Sequence, residues 1–432
     1  MKDLFALLPE WLRSYEFSRY LSNNYVVVDF ETTMIDFGSP YVKENRIVCS
    51  SFRYGKAHPD YQRGTMFVKD NEFGQQLLVS SIERADFWIA HNTKFESGWL
   101  ERCGLPLGKF LPFCTMIAEY VLLSNRSHPS RISLSASLRR RNMQSKDDLG
   151  SKLLKARVCP STWPLRILEK YSKGDVIETE KLFLRQRRAL VHFKQLPVVF
   201  TRNIFTAPLT DIEKNGMCLD AVRVYKLTND YSIRLIELQA QLDILTGGAN
   251  PASPKQMREV LYEVMKFKKP KDRKWLTKTG EYTTAFDYIN TLKATTKRQK
   301  SFKRLKQEWS KVNAALTKSL RKFSLCCDET SDQVLTAIFN QCVTVTQRTS
   351  STGKKYGAQF QNFARIFKPL FKARRKGWKI GEVDQAQLEY RVAVWYGQDE
   401  AGMYDIEHEV DSHAFTASEI FGYSVGNLGC SV

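Results

Sequence analysis

Short apolar runs separated by polar turns open the readable part of the chain. YVVVDF, RIVCSSFRYG and GTMFV follow one another from Tyr25, each of strand length and rich in β-branched and aromatic residues. Their close spacing suits an antiparallel meander. Helical periodicity then takes over from about Asn71 to Arg84, a short strand FWIAH follows, and another helix starts near Asn92. Further helices are expected from Leu165 to Leu190, and MKDLFALLPEWLRSYEF at the N-terminus reads as a short amphipathic helix. Near Leu196 to Thr206 the character changes: NIFTAPLTDIEKNGMCLD reads as a helix stopped at Gly216 that leads into long helical stretches. In the last hundred residues EVDQAQLEYRVAV reads as a strand that ends at Asp384 and runs into an amphipathic helix. The pattern predicts an α/β chain of two or three domains, a mixed sheet covered by helices followed by a largely helical middle.

Charge narrows the partners. The 432 residues carry 66 Lys and Arg against 46 Asp and Glu, a formal net charge of +20, which favours a polyanion. Between Ser253 and Leu325 stand 20 basic and 6 acidic residues, so most of the excess sits in one segment. A lysine-rich helix is ordinarily just a solvated face. Here Trp275, Tyr282, Phe286, Phe302 and Trp309 are interleaved with the charges, and a phosphate-binding surface is expected. No apolar run reaches the roughly 18 residues that span a bilayer, and the N-terminus lacks a cleavable signal pattern. Nucleic acid is therefore favoured over a membrane. The nine cysteines include no C-x-x-C pair, which predicts reduced intracellular thiols and neither a disulfide frame nor structural zinc.

The candidate chemistry begins in VVVDFETT. Asp29 and Glu31 are two apart on a strand and share a face. Carboxylates side by side are costly unless a cation lies between them, though an isolated D-x-E is usually surface charge. FWIAHNTKFESGWL places Asn92 and Glu96 at the start of a helix, and EKYSKGDVIETEKLF puts Tyr171 and Asp175 four apart on one helix face. Taken singly, these would be an exposed helix carboxylate and a half-buried aromatic.

In order and spacing, VDFET, HNTKFE and YSKGD resemble the three motifs of the DEDD superfamily of 3′→5′ exonucleases, in the branch with a tyrosine in its third motif. The likeness is strongest to the proofreading domain of family A DNA polymerases of phage type, and FCTMIAEYVL resembles the segment after the second motif. The chain departs from the family at Glu96, where Asp is usual. The resemblance implies an RNase H-like exonuclease domain over residues 1–195 that hydrolyses phosphodiester bonds with two Mg²⁺ or Mn²⁺ ions. Asp29 would bridge the ions, Glu31 and Asp175 would complete one site, and Glu96 would support the second. Tyr171 would orient the attacking water and Asn92 would meet the 3′ end of single-stranded DNA.

NPASPKQM and TKTGEYTTA resemble the thumb of the same family, within a domain at 196–335 made of a helix leading to the palm and a basic helical thumb. QRTSS and QFQNFAR resemble the segment that grips primer-template DNA, which makes Arg348, Ser350, Ser351, Gln361 and Asn362 DNA contacts. VDQAQLEYR resembles motif A, usually D-Y-S-x-x-E-x-R, with Gln385 and Ala386 in place of Tyr and Ser, and DSHAFTASEIFG resembles the helix after it. The implied region at 336–432 is a partial palm, in which Asp384 binds the polymerase metals and Glu389 is the steric gate against a ribose 2′-hydroxyl. Without the resemblance, Asp384 at a strand-to-helix junction also reads as a cap. Motifs B and C do not occur in the sequence. The expectation is a phage protein in a bacterial cytoplasm, an exonuclease that binds primer-template DNA and polymerises only with a second polypeptide carrying the fingers and remaining palm. A truncated fragment or a non-catalytic DNA-binding subunit impaired by Glu96 is the competing expectation. An RNase D-like processing enzyme, which shares the first three motifs, is a more distant one.

Overall fold

Three of the apolar runs pair as strands in the order of the sequence. In the computed structural model, β1 (Tyr25–Thr32), β2 (Ile47–Tyr54) and β3 (Thr65–Lys69) are antiparallel, as their short connections require. β4 (Phe87–Ala90) and β5 (Pro112–Cys114) add in parallel on the other side, giving the order β3-β2-β1-β4-β5. The structure describes residues 17–106, 108–123, 132–143, 149–270, 273–277, 279–330, 333–353 and 358–422. The amphipathic helix expected at the N-terminus lies, up to residue 16, outside the described residues.

β1 is the central strand, which is why its run is apolar on both faces. Val26, Val28 and Phe30 pack with Leu78 and Ile82 of α1 (Glu72–Glu83) and with Trp99 and Leu100 of α2 (Thr93–Arg102). Asn71 starts α1 as expected, accepting the Gly74 N–H at 2.7 Å. Tyr25 and Val27 face the other way, toward Ile117 and Tyr120 of α3 (Thr115–Leu122). Two short helices, α4 (Leu134–Arg140) and α5 (Leu149–Lys155), precede α6 (Leu165–His192), which is one continuous helix. Its buried residues Leu168, Ser172, Val176, Thr179, Phe183, Gln186 and Leu190 recur every three or four positions, so a single stripe lies on the sheet.

After α7 (Leu196–Ile204), α8 (Thr206–Asn215) ends at Gly216 with φ 56°. A Cβ at Gly216 would sit 2.5 Å from Leu335 O, because β6 (Met217–Cys218) pairs directly with β7 (Val334–Leu335). Between these strands run α9 (Ala221–Thr246), α10 (Pro254–Glu259), α11 (Phe286–Thr291), α12 (Lys297–Ala315) and α13 (Arg321–Glu329). The aromatics of this basic segment correct the expectation drawn from composition. Phe302 and Trp309 are buried in the helical core, and Trp275 and Tyr282 pack against it. Helical periodicity turns the rings inward, and leaves Lys297, Arg298, Lys300, Arg304 and Lys311 on the outside. The segment presents a basic face, with those rings packed in its interior.

β8 (Ile338–Asn340) and β9 (Ser350–Thr352) form a small antiparallel hairpin. The chain divides into two compact units, Met1–Arg374 and Arg375–Val432. The second holds α14 (Leu388–Gly397), α15 (Glu400–Glu407) and α16 (Ser412–Phe421), with Asp399 and Asp411 capping the last two. The strand expected to end at Asp384 does not form: residues 379–385 have no regular structure and Val383 is 91% exposed. Among the described residues nothing pairs with this segment, and a lone strand leaves its ladder hydrogen bonds unmade. No described helix is long and apolar enough to cross a membrane.

Candidate functional site

Beyond Val27, the next residues on the α6-facing side of β1 are Asp29 and Glu31. Their partners across the ladder on β2 are Ser51 and Cys49. The Ser172 hydroxyl of α6 donates to Ser51 Oγ at 2.8 Å, which pins the helix to the sheet level with Asp29. Tyr171 and Asp175 flank that contact, one turn apart. As a result Asp29, Glu31 and Asp175 each offer a carboxylate oxygen within 4.8 Å of the others.

Such a cluster is electrostatically loaded. The Tyr171 hydroxyl hydrogen-bonds Asp175, and burial first, then the charges of Asp175, Glu31 and Asp29, hold its proton well above the ordinary phenol range. Burial and the nearby Glu31 likewise push the Cys49 thiol up, so it remains neutral beside the carboxylates. Glu96 enters from α2, just past Asn92, whose φ of 80° places it in the left-handed region. Its side chain is buried, and Oε2 has no hydrogen-bond partner among the described residues. Burial, then the charge of Asp29, drives its carboxyl well above the usual range. Glu96 thus stands near enough to feel Asp29 while remaining outside the tight group of three.

Hard oxygen donors, mutual repulsion and a buried acceptor without a partner are what a divalent cation would relieve. The donor set fits Mg²⁺ or Mn²⁺, and the neutral Cys49 thiol is no competing ligand. Among the described residues this is the one group of acidic, His or Cys side chains that meets the geometric requirement.

Two supports of the site carry no sequence signal. Trp163 meets Tyr171 edge to face, with ring centres 5.5 Å apart. Gly150 of α5 lies against the same ring: a Cβ there would fall 2.3 Å from Tyr171 Cδ2. A glycine inside LGSKLLK looks like any weak helix residue until the tyrosine is placed against it.

The remaining site residues lie elsewhere. Arg348 is exposed just before β9, which carries Ser350 and Ser351. Ser351 is turned inward, its hydroxyl accepting the Gln361 N–H at 3.3 Å, which gives it a supporting place rather than an exposed one. Gln361 is exposed and donates from Nε2 to Thr349 O at 2.9 Å. Asn362 closes the turn Phe360–Asn362, and its side chain lies outside the described residues. In the second unit Asp384 is exposed, with Oδ1 accepting the Gln385 N–H at 3.0 Å, and Glu389 is exposed in the first turn of α14.

Comparison with known proteins reaches both halves. Residues 222–429 match the family model for DNA polymerase family A. The chain is 25% identical over 359 residues to DNA polymerase I of Aquifex aeolicus, covering 77% of this chain and 56% of the relative. It is 25% identical over 355 residues to DNA polymerase I of Synechocystis sp., covering 77% and 33%. With DNA polymerase I of Bacillus subtilis it shares 28% over 220 residues, covering 49% and 23%. The chain thus spans between about a quarter and just over half of these relatives. A solved structure, the POL domain of Pol1 from M. smegmatis in complex with DNA primer-template and dNTP, has the same fold at a TM-score of 0.69 and 16% identity. That match covers 98% of this chain and 68% of the solved one.

Proposed function

We propose, from a DNA polymerase family A region at residues 222–429 and the carboxylate site in the lobe before it, that this chain is a divalent-metal-dependent 3′→5′ exonuclease that also holds primer-template DNA. The observation that carries the exonuclease reading is the convergence of Asp29, Glu31 and Asp175 within 4.8 Å, with Tyr171 against them. The sheet order β3-β2-β1-β4-β5, three antiparallel strands followed by two parallel ones, supports an RNase H-like lobe over residues 1–195.

Asp29, Glu31 and Asp175 would hold one Mg²⁺ or Mn²⁺, and Asp29 with Glu96 a second; such ions activate a water and stabilise charge on the leaving oxygen. Tyr171 keeps its proton at working pH, so its hydroxyl can hydrogen-bond the attacking water and fix its line of approach. The water oxygen bonds to the terminal phosphorus while the bond to the preceding 3′-oxygen breaks and that oxygen gains a proton. A nucleoside 5′-monophosphate leaves, and the strand keeps a 3′-hydroxyl. Asn92, at the turn into α2, would meet the 3′-terminal nucleotide.

Arg348, Ser350, Gln361 and Asn362 would contact primer-template DNA around the β8–β9 hairpin, with Ser351 holding its shape. The solved relative bound to primer-template supports this reading. DNA synthesis would use Asp384 as metal ligand and Glu389 to exclude ribonucleotides, joined by carboxylates and a triphosphate-binding helix from a further polypeptide segment. Trp395, Tyr396, Ile420 and Phe421 are all more than half exposed and support a covering partner for this unit. The phage-type motifs support a role in phage replication in a bacterial cytoplasm.

The test is shortening of 3′-labelled single-stranded DNA with Mg²⁺ or Mn²⁺, with Asp29→Ala as control. Metal-dependent shortening lost in the variant is expected. No shortening by the parent, or equal shortening by both, would overturn the reading in favour of DNA binding without hydrolysis, which Glu96 in place of Asp favours.

A further inference from the structure

The helix that carries Glu96 is held by residues far away in the chain. Lys94, two positions before Glu96, is largely buried, and its ammonium lies 2.5 Å from Glu213 Oε1 near the end of α8. The same oxygen accepts the Phe339 N–H of β8 at 2.5 Å, and Lys94 donates in addition to the Phe339 carbonyl. One ammonium, one carboxylate and one peptide unit therefore close a ring of hydrogen bonds among α2, α8 and the β8–β9 hairpin. A second, more exposed pair, Lys214 with Glu101 at 2.8 Å, joins α2 to α8 toward the other end of α2.

We propose that Lys94 and Glu213 are positioning residues for the metal site: they set the first turn of α2, and through it the Glu96 carboxyl. The inference rests on the nuclease reading above and adds that the nuclease lobe is not self-sufficient. Its second motif takes its placement from Glu213 and Phe339, which lie outside residues 1–195. A buried ion pair stabilises no better than a well-packed apolar pair of similar size, whereas it does fix geometry through directed hydrogen bonds. Position matters more here than it would for Asp. The extra methylene of Glu gives the Glu96 carboxyl another torsion, so its reach to a cation depends on where the α2 backbone is held.

The test uses Mn²⁺ binding to the full chain, followed by electron paramagnetic resonance, with DNA degradation measured alongside. Glu213→Gln and Lys94→Met are each expected to weaken Mn²⁺ binding by about 10–100-fold, the range for loss of a group that orients a ligand. Lys94→Arg is expected to restore most of it. Lys214→Ala, which breaks the exposed pair, is expected to leave it unchanged. Because a single variant leaves a buried charge alone and can unfold, Lys94→Met with Glu213→Met serves as the second probe. It fills the space with apolar atoms, and is expected to keep the parent's circular dichroism and still bind Mn²⁺ weakly. Parent-like Mn²⁺ binding in the folded double variant overturns the proposal, even where the parent degrades DNA and the nuclease reading stands. The expected pattern of Mn²⁺ affinities without DNA degradation leaves the positioning role in place and removes the nuclease reading. A parent that binds no Mn²⁺ removes both.

Discussion

Gly150→Ala tests the site through a residue that touches no cation and no DNA in the proposed mechanism. An added Cβ would stand 2.3 Å from Tyr171 Cδ2, 2.6 Å from Cγ and 2.9 Å from its Cβ. Ordinary carbon contact begins near 3.5 Å, so the ring or α5 must give by about 1 Å. Tyr171 cannot rotate freely away, since Trp163 packs edge-on against it and its hydroxyl is tied to Asp175. Overpacking of this kind costs about 1–3 kcal/mol, offset in part by the roughly 1 kcal/mol that Ala gains over Gly in a helix. The fold should therefore survive with a small loss of stability. A 1 Å misplacement of a positioning group can cost on the order of 100-fold in rate, so single-turnover cleavage of single-stranded DNA should fall by about 10–100-fold. Tyr171→Phe supplies the comparison: with the hydroxyl already gone, adding Gly150→Ala should cost much less than it does alone. A Gly150→Ala rate within about twofold of the parent, or full additivity with Tyr171→Phe, would refute the claim that Gly150 places the tyrosine.

Other outcomes follow from the same geometry. Asp175→Asn should reduce DNA shortening by at least about 100-fold while primer-template affinity, measured by fluorescence anisotropy, stays within about twofold. Glu96 holds its proton to higher pH in the folded chain than in the unfolded one, so metal-free stability should fall as pH rises from the ordinary carboxylate range near 4.3 toward the raised value. Glu96→Gln should therefore gain on the parent in urea denaturation with EDTA as pH rises above the ordinary carboxylate range, and a constant difference would refute this. Replacing Arg298, Lys300 and Arg304 with Ala should lower the salt dependence of duplex binding by roughly one unit of log–log slope for each phosphate no longer neutralised. An unchanged slope would remove that face of α12 from the interface.

The faces of the candidate-site carboxylates were legible from local geometry, and their roles only from the ordered resemblance of the three motifs. A period of two puts Asp29 and Glu31 on one face, and a spacing of four does the same for Tyr171 and Asp175. What joins those faces was not legible: the Ser51–Ser172 hydrogen bond, the Gly150–Tyr171 contact and the Lys94–Glu213 pair each link segments distant in sequence. The two misreadings share a cause. Alternation around Val383 indicates a strand only where another strand supplies the ladder, and none of the described residues does. Aromatics interleaved with lysines were counted by composition, while the helix sorts them by face and sends Phe302 and Trp309 inward.

The same reasoning separates the two carboxylate positions that the sequence makes look alike. Asp29 sits on a central strand with packed layers on both faces, so its neighbours are fixed by the burial of Val26, Val27 and Val28. Glu31 shares its face through the two-residue period of β1, and Tyr171 and Asp175 meet it because the Ser172–Ser51 hydrogen bond holds α6 at that level of the sheet. Asp384 has no such frame within its own unit. It lies exposed on an irregular segment before α14, and the apolar side chains around it, Val383, Leu388 and Val392, are themselves at least half exposed. A metal ligand without a rigid support cannot impose geometry on an ion. Covering those side chains would both bury apolar surface and supply the support. In the proposed reading, completing the Asp384 site and stabilising its unit are the same event, and burial of Val383 should accompany any gain of DNA synthesis.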